Sequence, residues 1–176
     1  MKLVNYNKDN ISKIKKLYRS AFPCVERKSF GFIIRQCEKG EADMLAIETN
    51  DGKFVGLAIT VMYKDLAMLD YFAIHPKVRG KGIGSRALQM LKARYADKRF
   101  FLEIEAVERS GNYEQRKRRR EFYLKNGMIP CGFTAYTFFT NMEILTAGKS
   151  VTFDEYRALY RSHLGKRIAD RIKQVA

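Results

Sequence analysis

Acidic residues are scarce in this chain. It has 176 residues with 19 Asp+Glu against 34 Lys+Arg, so the formal net charge is +15 at pH 7. Cysteine is scarcer: Cys24, Cys37 and Cys131 are scattered, odd in number and free of any CxxC spacing. That pattern argues against a disulfide framework and a zinc site, and fits the reducing cytoplasm. No run of ~20 apolar residues occurs, which excludes a membrane-spanning helix. The first residues, MKLVNYNKDN, place a polar residue every few positions and lack the apolar stretch of a secretory signal. Repeats, low-complexity tracts and linkers rich in Gly, Ser or Pro are also missing, so residues 1–176 read as a single domain.

What is present is enough for a core. Apolar residues make up 46% of the chain and aromatics 12%, too many for a disordered chain despite the charge. The basic excess favours a polyanionic partner, whether nucleic acid, an anionic surface or a phosphate-rich small molecule, and does not choose among them.

Periodicity supplies the elements. Residues 1–5 read as a short strand. Ile11, Ile14, Leu17, Tyr18 and Phe22 form the stripe of an amphipathic helix ahead of Pro23, and Phe30, Ile33, Ile34 and Cys37 repeat it ahead of Gly40. Met44–Glu48, Phe54–Tyr63 and Ala67–Ile74 are β-rich, and Asn50-Asp51-Gly52 and Lys64-Asp65 between them are turn signals, which predicts an antiparallel meander. A helix then carries Ile83, Ala87, Leu88, Leu91 and Tyr95 on one face. Next come a strand at Phe100–Glu105, a helix at Tyr113–Asn126 and two strands at Met128–Phe133 and Ala135–Met142. A C-terminal helix over 152–174 begins at a Thr152/Glu155 capping box. The fold class is mixed α/β, with an antiparallel front half and a strand–helix–strand crossover.

The most informative stretch is Arg79-Gly80-Lys81-Gly82-Ile83-Gly84-Ser85, between a buried strand and a helix start. Alternating glycines remove side chains, so successive backbone N–H groups can face one anion. The helix N-terminus adds roughly half a positive charge there, and Arg79 and Lys81 add whole ones. This is a cradle for phosphate or pyrophosphate. A Walker A string is absent. The dinucleotide pattern GxGxxA is met by Gly82, Gly84 and Ala87, with Glu103 or Glu105 where a ribose-binding acid would sit. Against it, His75-Pro76-Lys77-Val78-Arg79 separates the glycines from their strand, and the preceding strands are not a βαβ unit.

Leu69-Asp70-Tyr71-Phe72-Ala73-Ile74-His75-Pro76 followed by Arg79-Gly80-Lys81-Gly82-Ile83-Gly84 resembles motif A of the GNAT superfamily of N-acetyltransferases, whose pattern [Q/R]xxGx[G/A] is met by Arg79, Gly82 and Gly84. Glu121-Phe122-Tyr123-Leu124-Lys125-Asn126-Gly127-Met128 resembles motif B, with Met for the usual last Phe. The resemblance covers residues 44–133 best. It implies a mostly antiparallel central sheet flanked by helices and a direct transfer of acetyl from acetyl-CoA, as cosubstrate and without a metal, to a primary amine. The pyrophosphate would lie on residues 79–85, and the pantetheine arm would pair with the main chain of Phe72, Ala73 and Ile74. Tyr123 would be the acid that serves the departing thiolate; the alternative is a ring packed in the core. Glu103 matches a position where some relatives carry a base; alternatively Glu103 and Glu105 are a surface pair answering nearby cations, and Asp70 or a water chain does the work. Where the family often has Asn touching the cofactor, this chain has Arg116, within the five-cation run Arg116–Arg120. That run reads either as a contact to CoA phosphates or as a solvated basic face.

The acceptor is a small-molecule or peptide amine. The resemblance implies that residues 21–28 wall its pocket and that a homodimer is possible. A rival class is a nucleic-acid- or ribosome-binding protein driven by the +15 charge, although no RNP, helix-turn-helix or zinc-finger spacing supports it.

Overall fold

The computed structural model describes residues 1–109 and 111–175. The chain folds as two compact units, Met1–Met62 with Leu69–Arg94, and Tyr63–Met68 with Tyr95–Ala176. The fold class is the expected one: mixed α/β, mostly antiparallel strands with flanking helices, and a C-terminal helix.

The first unit holds β1 (Lys2–Asn5), α1 (Ile11–Ala21), α2 (Phe30–Glu38), β2 (Ala42–Glu48), β3 (Phe54–Tyr63), most of β4 (Leu66–Ile74) and α3 (Ile83–Arg94). Its strands lie in the order β1-β2-β3-β4, with β2 antiparallel to both β1 and β3. Side chains alternate across the strands. Met44, Ala46, Leu57, Ile59, Tyr71 and Ala73 meet Ile14, Leu17, Tyr18 and Ile33 of α1 and α2. The opposite residues Ile47, Val55, Phe72 and Ile74 meet Ala87 and Ile83 of α3. Cover on both faces explains why β3 reads as one long apolar run rather than an alternation.

A bulge shifts the β2–β3 register between Ile47 and Glu48, and beside it Gly56 has no room for a side chain. A Cβ there would stand 2.6 Å from the Ala73 carbonyl oxygen and 2.9 Å from Ile74 Cδ1. Val55 O accepts from the His75 N–H at 2.8 Å, so β3 fixes the end of β4 through main-chain groups.

The second unit holds β5 (Arg99–Glu105), α4 (Tyr113–Lys125), β6 (Ile129–Thr137), β7 (Thr140–Thr146), α5 (Phe153–Leu164), α6 (Lys166–Ala169) and β8 (Lys173–Val175). Its strands run β5-β7-β6-β8, antiparallel throughout. Two boundaries differ from expectation. The β6–β7 hairpin turns at Phe138-Phe139, not near Thr134, because Gly132 (φ +83°) lies in a bulge between Pro130 and Thr134 rather than in a turn. Both phenylalanines take left-handed backbone, φ +46° and +64°, without the Gly or Asn that such a turn favours; the Phe138 ring lies 6.2 Å from that of Tyr160. The C-terminal helix ends at Leu164 instead of running on to 174. Gly165 (φ +86°) breaks it, and the residues beyond make α6 and the strand β8, whose Lys173 pairs with Tyr136.

The capping box at Thr152 and Glu155 is present. Glu155 also takes a two-pronged bond from Arg99 at 2.7 and 2.8 Å, and Arg99 is forked to Asp65 at 2.7 and 3.1 Å. Arg99 first, then the Thr152 N–H, hold the Glu155 carboxyl down at about 2. A lowered acid contributes stability above its ordinary value of 4.5 and loses it as pH falls towards about 2.

Two outcomes follow for stability. Thr152→Ala costs about 1 kcal/mol at pH 7 in urea unfolding, and its deficit narrows as pH falls from 4.5 towards about 2. Gly56→Ala costs about 1–3 kcal/mol in the same assay, because the new methyl meets backbone rather than a side chain that can move.

Candidate functional site

The site in the first unit begins where β4 ends at Ile74. His75 Nδ1 accepts from the Lys77 N–H at 3.4 Å and opens a short 3-10 turn over Pro76–Val78. Arg79 then folds back, its Nε donating to Ile74 O at 3.0 Å. Gly80 and Gly82 take φ of +77° and +71°, a backbone region unfavourable for L side chains. A Cβ at either position would meet nothing within 4 Å. The two glycines are therefore required by conformation, and the space above them is open.

Arg86 N–H makes the first bond of α3, to Gly82 O at 3.0 Å. The N–H groups of Ile83, Gly84 and Ser85 precede that bond and have no acceptor among the described residues. With exposed Arg79 and Lys81 alongside, the loop has the donors and charge of an anion cradle. Upstream, Phe72 and Ile74 send their side chains into the α3 cluster and Ala73 into the α1–α2 cluster. The side chains of these three residues are thus taken up in packing.

Asp70 and Tyr71 hold residues 22–30. Lys28 Nζ lies 2.6 Å from Asp70 Oδ2, with both side chains largely buried. Tyr71 Oη donates to Glu26 O at 2.8 Å and accepts from the Lys28 N–H at 3.1 Å, and Tyr18 Oη donates to Lys28 O at 3.0 Å. Burial, and then the Asp70 charge, push the Tyr71 hydroxyl well above its ordinary value.

In the second unit Tyr123 is the one buried residue of α4, 8% exposed. Its main chain is fixed where the helix stops, since Met128 N–H returns to Tyr123 O at 3.0 Å after Gly127 at φ +77°. Its hydroxyl has no hydrogen-bond partner among the described residues, and burial pushes it up to about 12, with the Arg119 charge opposing.

The cation run divides. Arg116 and Arg119 both reach Glu105, at 3.3 and 3.4 Å, and Arg120 forks onto Glu143 at 2.7 and 3.0 Å. Lys117 and Arg118 are exposed. Glu105 thus answers cations as one of the two sequence readings has it, and Arg116 carries a carboxylate partner. Glu103 is met by two phenols. Its carboxylate accepts from the phenol of Tyr156 and from that of Tyr160 at 2.6 Å. Sequence analysis placed these positions only within the C-terminal helix; their i, i+4 spacing, which puts two hydroxyls on one helix face, was the available signal. A cavity of about 580 Å³ in this unit is lined by Tyr113, Phe133 and Glu143 among others and by Lys117 and Arg120 of the cation run, but not by Glu103, Arg116 or Tyr123. Among the described residues, no group of three or more His, Cys, Asp or Glu could hold a metal ion.

A family model, Acetyltransferase (GNAT) family, matches residues 11–128. The chain belongs to the GNAT acetyltransferase family. Solved structures agree on the fold. A Bacteroides thetaiotaomicron protein assigned to the GNAT family as an acetyltransferase superposes with a TM-score of 0.76 at 18% identity, covering 94% of this chain and 99% of its own. The spermidine N-acetyltransferase of Vibrio cholerae, solved with CoA and spermine, gives 0.65 at 10% identity, covering 82% and 93%. A chimera of that Vibrio cholerae enzyme with hSSAT gives 0.66 at 11%, covering 83% and 95%. No curated protein matches the chain. The GNAT family uses acetyl-CoA, so this chain is an acetyltransferase.

The loop geometry sets a test by calorimetry with CoA. Gly82→Asp places a carboxylate where the open space lies and weakens binding more than ~10-fold. Gly82→Asn has the same shape, tolerates left-handed backbone equally and costs far less. Equal affinities for both variants and the unaltered chain would remove the loop from the site.

Proposed function

We propose that this GNAT acetyltransferase moves acetyl from acetyl-CoA directly to a primary amine of a small molecule or peptide, with residues 79–85 gripping the CoA diphosphate. The observation that carries the reading is the pair of left-handed glycines under open space, followed by amides of Ile83, Gly84 and Ser85 that lack acceptors among the described residues. Bare amides at a helix start suit a diphosphate, which needs several donors converging within a few ångströms. Arg79 and Lys81 add charge at the rim. The main chain of Phe72, Ala73 and Ile74 holds the pantetheine arm as a strand would. Arg116 serves the phosphates from α4 with part of its charge already met by Glu105.

Tyr123 serves the departing sulfur. Its hydroxyl is protonated across the neutral range and lacks a partner among the described residues, so it can donate to negative charge as that charge develops. A phenol at about 12 is far weaker as an acid than an ordinary thiol near ~8.5. Its main contribution is therefore a hydrogen bond to the sulfur rather than complete proton transfer. Glu103, on which the two phenols converge, receives the amine proton.

This assignment has a kinetic signature. Tyr123→Phe lowers kcat by about 10²-fold while the CoA affinity stays within a factor of ~2, read by free-thiol release and calorimetry. In the unaltered enzyme kcat/KM rises with pH as the amine loses its proton. The alkaline decline due to Tyr123 comes near 12 rather than at the ordinary 10. An unchanged kcat in Tyr123→Phe would remove it from the chemistry.

A further inference from the structure

We infer that Tyr156 and Tyr160 are positioning residues for the acetyl transfer: they hold the Glu103 carboxylate in the orientation from which it takes the proton of the amine. The inference deepens the reading of Glu103 as proton acceptor and rests on it. All three residues belong to the second unit. Neither tyrosine lies in the motifs that carry the family resemblance.

Arg99, Phe101 and Glu103 leave β5 on one face, since strand side chains alternate, and α5 meets all three. Arg99 forks onto Glu155 at 2.7 and 2.8 Å. The Phe101 ring lies 6.5 Å from that of Tyr156, and Glu103 accepts from both phenols. The helix is thus fixed along the strand at its start by an ion pair and a capping box, and further on by the carboxylate. Tyr156 and Tyr160 are 0% and 2% exposed, with their rings 5.0 Å apart. Phe133 lies against the first at 6.0 Å and Phe138 against the second at 6.2 Å. Close packing holds such rings in their rotamers, so the two hydroxyls form a fixed pair. Tyr156 donates to Glu103 Oε2 and Tyr160 to Oε1. Two fixed donors on different oxygens define the plane of the carboxylate, whereas one would let it turn.

That constraint matters because a glutamate side chain has much rotamer freedom to lose. Proton transfer needs its oxygen within hydrogen-bond reach of the ammonium, and a displacement of ~1 Å can cost about 10²-fold. The phenols set the placement beforehand. As neutral donors they orient the carboxylate without cancelling its charge. In the step itself the ammonium N–H bond breaks and the proton passes to a Glu103 oxygen. The nitrogen keeps the electron pair and attacks the thioester carbonyl with it. Both phenols keep their protons throughout and act only through Glu103.

The test is steady-state free-thiol release from acetyl-CoA with ethanolamine, benzylamine, glucosamine, spermidine and trialanine as amine probes. Tyr156→Phe and Tyr160→Phe keep the ring and remove only the hydroxyl. On the best probe each lowers kcat ~5-fold, and the two together lower it ~10-fold or more. The KM for the amine, and the Kd for CoA by calorimetry, stay within a factor of ~2. Glu103→Gln lowers kcat ~10²-fold. Adding Tyr160→Phe to it changes kcat by less than ~2-fold, because the hydroxyl then has no base to position. A merely structural role gives losses that multiply in the combined variant or extend to CoA affinity. Either of those results, or tyrosine variants that keep kcat while Glu103→Gln is slow, overturns the inference and leaves Glu103 as the proton acceptor. An unchanged kcat in Glu103→Gln sinks the reading beneath it, and the inference with it. A chain that binds CoA yet turns over none of the probes does the same.

Discussion

On our proposal, the first unit depends on a short row of backbone N–H groups, those of Ile83, Gly84 and Ser85, being held ready for an anion. That presentation needs a strand to stop at a fixed place, a turn through left-handed backbone, and a helix beginning at once. β4 stops where it does because β3 holds its end. The missing side chain at Gly56 lets the Ala73 carbonyl approach, and Val55 O takes the His75 N–H. Arg79 closes the turn on Ile74 O, and Gly80 and Gly82 carry it through conformations that a Cβ disfavours. The helix behind is held by the Ala87 cluster, so the donors are fixed before a ligand arrives, as anion binding without reorganisation requires.

Charge is arranged to limit its own repulsion. A chain at +15 would repel itself in the folded state, yet many of its cations are placed against acids. Arg99 joins Asp65 to the capped start of α5, Arg120 clamps Glu143, and Arg116 with Arg119 surrounds Glu105. These pairs tie α4 and α5 to the strands of the second unit.

Much of this was legible in the sequence. The stripes of Ile14, Leu17 and Tyr18 and of Ile33 and Cys37 mark α1 and α2 because those faces meet the sheet directly, and Phe54–Tyr63 marks β3 to the residue. The left-handed turn through Gly80 and Gly82 ahead of α3 was legible because it is local, marked by a string of glycines; that it cradles a diphosphate is our proposal. What escaped depends on partners remote in sequence. The two tyrosines on Glu103 lie 53 and 57 residues away, and Lys28 is 42 residues from Asp70. The hairpin at Phe138-Phe139 escaped because no turn-forming residue stands there, the 92% exposed Phe139 included. β8 escaped because the polar Lys173 and Gln174 sit on an edge strand that carries no apolar signature.

The central claim is that the amides of Gly80 to Ser85 bind the CoA diphosphate. Titrating a 15N-labelled sample with CoA and following backbone amide resonances tests it most directly. The account predicts that the largest shifts fall on Gly80, Gly82, Ile83, Gly84 and Ser85, and that a CoA fragment lacking the diphosphate fails to produce them. Saturable binding of CoA that leaves those amides unmoved would contradict it.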